Sequence, residues 1–406
     1  MVDDELLTPE RVRDPYPYFR QLQEEAPVHW NEKYRAWVVS RFDDVSEAFR
    51  DPRYSSDRIS AFSAIRHVDD ADAGFDEVLR VLSGWLVFKD PPDHTRLRRL
   101  MQGAFTVKSI EAWRPRVSEI VTELIDDIDA DTIDVVRDIA YPLPAIVIAE
   151  MLGVPPEDRD LFKQWSDEIT ALVFGALDQP DRRERAVAGM SELADYLRGL
   201  INAHQGDADD DLLGSLLNAR DQSDALTTDE VLSTCVLLLF GGHETTTSLI
   251  GSATLALLEA PDQLEQLRSN PQMMGSAVEE FLRFDGPAKV SVRIVADEIE
   301  LRGETLLPGQ RVFLVPNAAN RDARRFSQPD TLDIDRPDGG HVGFGGGIHY
   351  CLGAPLARLE GGLAISGIIN RLQGLELCDR DALSWHPTLL SRSLQNLPVR
   401  FDEVAD

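Results

Sequence analysis

Phe344-Gly345-Gly346-Gly347-Ile348-His349-Tyr350-Cys351-Leu352-Gly353 is the stretch that decides how this chain is read. Its glycines lead to a lone cysteine, and an apolar, helix-like stretch from Ala354 to Ile369 follows. A cysteine just ahead of a helix meets free backbone N–H groups and the positive end of the dipole, which favour thiolate over thiol. The glycines point to backbone that turns tightly or lies against a flat ligand, where a Cβ would collide. An anionic sulfur under a planar group, with His349 close by, suits a haem held by cysteine thiolate. A buried structural cysteine after a glycine turn is the plainer alternative, and Cys351 alone would favour it.

The full spacing, Phe-Gly-x-Gly-x-His-x-Cys-x-Gly, is far more restrictive than the cysteine alone. It resembles the haem-binding signature of the cytochrome P-450 family. The resemblance implies a fold that is mainly α with a smaller β-rich part near the N-terminus, in one domain over residues 1–406. It implies haem b as cofactor, with Cys351 as the metal ligand and Phe344, Gly345 and His349 beside it. It also makes the chain a monooxygenase that places one oxygen atom from O2 into an apolar organic substrate.

A second decisive stretch lies upstream. Thr227-Thr228-Asp229-Glu230 is a capping pattern, and the apolar run from Val231 to Phe240 marks a buried helix. Gly241-Gly242-His243-Glu244-Thr245-Thr246-Thr247 then breaks local propensity, at roughly 1 kcal/mol per glycine relative to alanine. Close helix packing with hydroxyls bonding back to carbonyls is one explanation. The other is a locally opened helix that leaves a groove for O2. Gly-Gly-x-Glu-Thr-Thr resembles the family's oxygen-binding motif, which puts Gly241 against the cofactor and gives catalytic roles to Glu244 and Thr245. Thr245 would hydrogen-bond the oxygen and its waters, and Glu244 would relay protons from solvent.

Lys89-Asp90-Pro91-Pro92-Asp93-His94-Thr95-Arg96-Leu97-Arg98 precedes a helix with Asp93 as its expected cap. His94 and Arg98 share one face, which is either solvated charge or a cationic site. The resemblance makes them propionate ligands together with Arg293 and His349. It also makes Glu280, Arg283 and Arg336 a structural triad around the cysteine loop. The substrate pocket is expected along Val87, Phe88, Phe240, Val290, Val292 and Leu394, with Trp85 nearby and residues 392–394 on a loop that reaches substrate.

Elsewhere the pattern gives a hairpin over 28–40, a short helix capped by Asp43 or Asp44, and a solvated loop over 55–82. Trp165, Leu172, Phe174 and Leu177 form an apolar stripe read as core. Strand-like runs follow near Ile299, Leu306 and Val312.

Of the 406 residues, 43% are hydrophobic, and no linker, repeat or low-complexity tract is visible. A net charge of −30 excludes nucleic acid and anionic membranes as partners. Cys235, Cys351 and Cys378 are widely spaced, which argues against disulfides and cysteine-based zinc. The acidic start and the absence of a long apolar run predict a cytoplasmic protein with no membrane span. The expected partners are a separate ferredoxin and an NAD(P)H-dependent ferredoxin reductase, acting on a monomer. Arg96, Arg99, Arg114, Arg116 and Arg358 are the expected docking patch. A peroxide-driven haem-thiolate enzyme and a haem sensor are the alternatives, and neither needs both Glu244 and Thr245.

Overall fold

A computed structural model describes residues 2–60, 73–158, 182–204, 212–221, 224–337 and 339–405, with four positions between 161 and 168. Its longest element is the central helix, Thr228–Leu258. Thr227 closes the expected capping box: its hydroxyl accepts from the Glu230 N–H, and the Glu230 carboxylate accepts from the Thr227 N–H. The helix is buried on nearly every side, so it needs neighbours all round. They are Pro142–Met151, Arg182–Ala203, Met274–Asp285 and the cysteine helix, Ala354–Arg371.

The hairpin forms as Val28–Asn31 and Ala36–Val39. Its partners come from far along the chain. Ala36–Val39 pairs in parallel with Arg311–Leu314, which pairs antiparallel with Ser291–Val295, and Tyr54–Ser55 closes the edge. The β-rich part is therefore not an N-terminal unit, because the later strands complete its sheet. Side chains alternate across this sheet. Trp37, Val39, Val312, Leu314 and Val295 enter one apolar cluster, and Ala36, Val38, Phe313 and Val292 enter another.

Helix starts depart from the expected caps. Asp43 and Asp44 lie in the first turn of Phe42–Ala48, with Arg41 at the cap position, and Asp44 pairs with Arg302. Asp93 begins its helix, Asp93–Met101, rather than capping it, and Pro92 takes the cap position. Within the stretch read as a loop, Ala73–Ser83 is a helix that buries Phe75, Val78, Val81 and Leu82. Residues 61–72 and Leu172, Phe174 and Leu177 lie outside the described residues. Trp165 is buried and donates to Glu192 at 2.9 Å.

Glu280, Arg283 and Arg336 meet in the interior. Glu280 accepts from Arg283 at 2.6 and 2.8 Å and from Arg336 at 3.1 and 3.2 Å. The arginines also donate to the carbonyls of Asn320, Pro329, Thr331, Ser327 and Gln328, which ties that loop to the helix.

Candidate functional site

The glycines before the cysteine answer to the protein's own backbone. Gly345 and Gly347 have φ of +71° and +61°, which other residues rarely adopt. A Cβ on Gly347 would lie 2.3 Å from the Phe49 carbonyl oxygen, and one on Gly346 would lie 3.2 Å from the Phe49 Cβ. The tight turn and the close approach of Phe49 to Gly346 and Gly347 are two things these positions require. The turn closes with the Cys351 N–H donating to the Phe344 carbonyl at 3.0 Å. Phe344 lies under the Arg358 guanidinium, 4.6 Å from its ring centre.

The N–H groups of Gly353 and Ala354, at the start of the cysteine helix, act on the Cys351 sulfur and favour thiolate, as do Arg98 and Arg358. Burial opposes them and is the larger effect, so the thiol is pushed up rather than down. The dipole argument alone has the wrong sign here. A cation coordinated at the sulfur would restore the thiolate.

Around the cysteine loop stand two imidazoles and two arginines, His94, His349, Arg98 and Arg293, that form no ion pair with a carboxylate among the described residues. His94 is 2% exposed, and neither ring nitrogen has a hydrogen bond. Its ring lies 4.3 Å from that of His349, whose Nε2 is also buried without a partner. Burial holds both imidazoles below the usual range, His349 at about 3. Arg98 donates to the Tyr350 carbonyl at 2.7 Å. Arg293 donates to the Ser291 hydroxyl and the Val292 carbonyl, and its guanidinium lies 5.5 Å from the Phe49 ring centre. Burial brings Arg293 down to about 10. Neither arginine pairs with a carboxylate among the described residues. Two fixed cations and two buried imidazoles beside a sulfur fit a dianionic, metal-bearing planar group such as haem.

The central helix carries Gly241 in its middle. That residue is exposed in an otherwise buried stretch, and a Cβ there would meet nothing within 4 Å. A Cβ on Gly242 would only graze Ile148 at 3.9 Å. Close helix packing therefore does not explain the pair. The helix is not opened either: it runs unbroken, and Thr245 Oγ1 donates to the Gly241 carbonyl at 2.7 Å. With its proton engaged, the hydroxyl is left with lone pairs to accept. Glu244 accepts from the Ser391 hydroxyl at 2.9 Å, and Ser391 Oγ lies 2.9 Å from Thr388 Oγ1.

The expected pocket residues divide. Phe240 is buried 5.0 Å from Trp85, which stacks on Phe88 at 5.6 Å and 14°. Val87 is 44% exposed. Arg293 shares its strand face with Ser291 and Val295, so alternation turns Val290 and Val292 the other way, onto Phe313 and Leu389. Leu394 is a core residue against Gly251, and the C-terminal loop reaches the site through Ser391 instead.

Three side chains here were not anticipated from sequence. Ser391 carries no local signal, because its partner is 147 positions away. Lys289 is buried, donates to the Thr388 carbonyl and is brought down to about 7 by burial. Glu360 is 1% exposed on the cysteine helix and pushed up to about 8 by burial. An acid inside an apolar helix is a readable signal for such a group.

The proposed docking arginines all have acidic partners. Arg96 pairs with Glu230 and Asp224, Arg99 with Asp224, Arg114 with Glu111, Arg116 with Glu150, and Arg358 with Glu279. In a chain of net charge −30, acids are within reach of each, and among the described residues these five arginines form no free positive patch.

A family model described as cytochrome P450 matches residues 30–385. The chain is 38% identical to the 6-deoxyerythronolide B hydroxylase of Saccharopolyspora erythraea, over 96% of each chain. It is 40% identical to the vitamin D(3) 25-hydroxylase of Pseudonocardia autotrophica, over 95% of this chain and 94% of that one. Among solved structures it is similar to the bacillaene polyketide synthase cytochrome P450 PksS of Bacillus subtilis 168. The TM-score is 0.89 at 33% identity, covering 98% of this chain and 100% of that chain.

Proposed function

The chain belongs to the cytochrome P450 family, whose members bind haem, and from that premise we propose that it holds haem b through Cys351. It is a monooxygenase of organic substrates. The finer reading is hydroxylation or epoxidation of an apolar substrate by one domain spanning residues 1–406. The observation that supports this best is the pair of partly buried Arg98, which acts on Cys351, and buried Arg293, which acts on His349, both without a carboxylate ion pair among the described residues, with the buried ring nitrogens of His94 and His349 left without hydrogen bonds. Haem carries two propionates, and the two arginines match them in charge. When bound, haem supplies the activation of O2.

The chain's own residues supply binding, orientation and proton handling. His94 and His349, both held neutral at pH 7 by burial, can donate a ring N–H to a propionate without adding charge. Gly241 leaves room on the central helix where a side chain would intrude. Thr245 presents lone pairs to that opening, where they accept from a protonated oxygen or from water. Glu244, held by Ser391, is the acid beside it. Phe240, Trp85 and Phe88 give the substrate an apolar wall. The adjacent acid and alcohol favour an O2-dependent enzyme over a peroxide-driven one or a haem sensor.

Electrons come in this reading from a separate ferredoxin and its NAD(P)H-dependent reductase, serving a cytoplasmic monomer. No helix among the described residues is long and apolar enough to cross a membrane. Docking is placed on the cysteine loop, where Ile348 and Tyr350 expose 51% and 40% of their surface.

Monooxygenation consumes electrons and protons in equal number, so a misplaced proton acceptor diverts electrons to hydrogen peroxide. Thr245→Ala is predicted to keep haem content and near-normal substrate binding while product per NAD(P)H falls and peroxide rises. Glu244→Gln is predicted to slow turnover more than it uncouples. A Thr245→Ala enzyme as tightly coupled as wild type would overturn the role given to that hydroxyl.

A further inference from the structure

We propose that Arg58 is a carboxylate-binding residue of the substrate pocket, selecting organic acids whose apolar body lies along Phe88, Trp85 and Phe240. This rests on the haem-thiolate reading above.

The placement comes from a chain of ring contacts. The Arg58 guanidinium carbon lies 4.4 Å from the Phe88 ring centre. Phe88 stacks on Trp85, Trp85 lies 5.0 Å from Phe240, and Phe240 is followed at once by the Gly241 opening. The cation thus stands at one end of a run of aromatic rings whose other end, Phe240, directly precedes Gly241 in the chain.

Its charge is not balanced. Arg58 is partly buried, and burial together with the like charges of Arg293 and Arg311 brings it down to about 10. Among the described residues no carboxylate pairs with it, and its side chain makes no hydrogen bond. The nearby acids are engaged elsewhere: Asp57 accepts from the Ser60 N–H, and Asp90 accepts from the Ser55 hydroxyl and the Ser56 N–H. A partly buried guanidinium among like charges is favoured by an anion that meets it.

Haem does not supply that anion. Its two propionates are matched by Arg98 and Arg293, so Arg58 is a third cation beyond the cofactor's need. A guanidinium lying over an aromatic face still offers its N–H fork to a carboxylate in bidentate fashion. The remaining anion is therefore the substrate's.

The test is calorimetric titration of the haem-loaded protein with straight-chain carboxylic acids of graded length, each beside its primary amide. At least one acid should bind about tenfold or more tighter than its amide, the scale of a charge-assisted hydrogen bond. Arg58→Gln should erase that preference with haem content and the reduced carbon monoxide spectrum unchanged, and Arg58→Lys should keep part of it. Equal binding of acids and amides by intact haem protein overturns the proposal. So does a preference that survives Arg58→Gln, or a folded Arg58→Gln protein that loses haem, since Arg58 would then serve the cofactor. A wild-type protein with no thiolate-type spectrum is a different result, one that overturns the underlying haem reading.

Discussion

Glu244 is held in place by Ser391, a residue from the C-terminal loop, and Ser391 is braced in turn by Thr388. Both hydroxyl residues are buried. A hydrogen bond to a charged group contributes about 1.5–3 kcal/mol, so its loss should be visible in turnover. Ser391→Ala is predicted to slow turnover by about tenfold with substrate affinity unchanged, to raise the solvent isotope effect, and to be rescued by Ser391→Thr. An unchanged isotope effect would leave Ser391 a packing residue only. Glu360 makes a separate prediction. Burial raises its carboxyl from 4.5 to about 8 in the folded protein. Between those values the unfolded chain binds fewer protons than the folded one, so this group's contribution to stability falls as pH rises. Glu360→Gln stays neutral throughout. It is predicted to match wild type near pH 4.5 and to exceed it by roughly a few kcal/mol above pH 8. Parallel thermal midpoints across that range would show that Glu360 ionises normally.

At the scale of elements, the helix Met274–Asp285 joins the fold to the cysteine loop. Glu280 pairs with two buried arginines, and the adjacent Glu279 accepts from Arg358 of the cysteine helix at 2.6 and 2.9 Å. Breaking a buried pair leaves charge uncompensated and costs about 3–5 kcal/mol. Glu280→Gln should therefore lower stability by about that amount and release haem on mild heating, as thermal unfolding followed at the haem band would report. A midpoint equal to wild type would remove the triad from the account. These elements were legible in the sequence where their signals are local. The capping box at Thr227, the hairpin at 28–40 and the Glu-x-x-Arg spacing each depend on residues a few positions apart. Arg293 and Val292 were read together as site residues, yet strand alternation turns them to opposite faces. The glycines before Cys351 were read as a tight turn or a ligand contact; the turn is there, and nothing local shows that Phe49 also packs against Gly346 and Gly347.

At the scale of the molecule, the central helix packs on the cysteine helix, so two motifs far apart in the chain sit on neighbouring elements. The fold and the family could be read because ordered motifs constrain them. Ser391, Lys289 and Arg58 could not, because each acquires its surroundings only when distant segments close over it. Charge misled at this scale as well. The arginines chosen as a docking patch are each paired with acid, so their count along the chain says little about the surface potential. The central claim is that Cys351 holds haem as its thiolate ligand. It is tested most directly by the reduced carbon monoxide spectrum of wild type and Cys351→Ala, read beside haem content. Wild type is predicted to show the red-shifted thiolate-type band and the variant to lack it, since no other cysteine lies near the site: Cys235 is in the core and Cys378 is exposed. A Cys351→Ala protein that keeps that band would contradict the account.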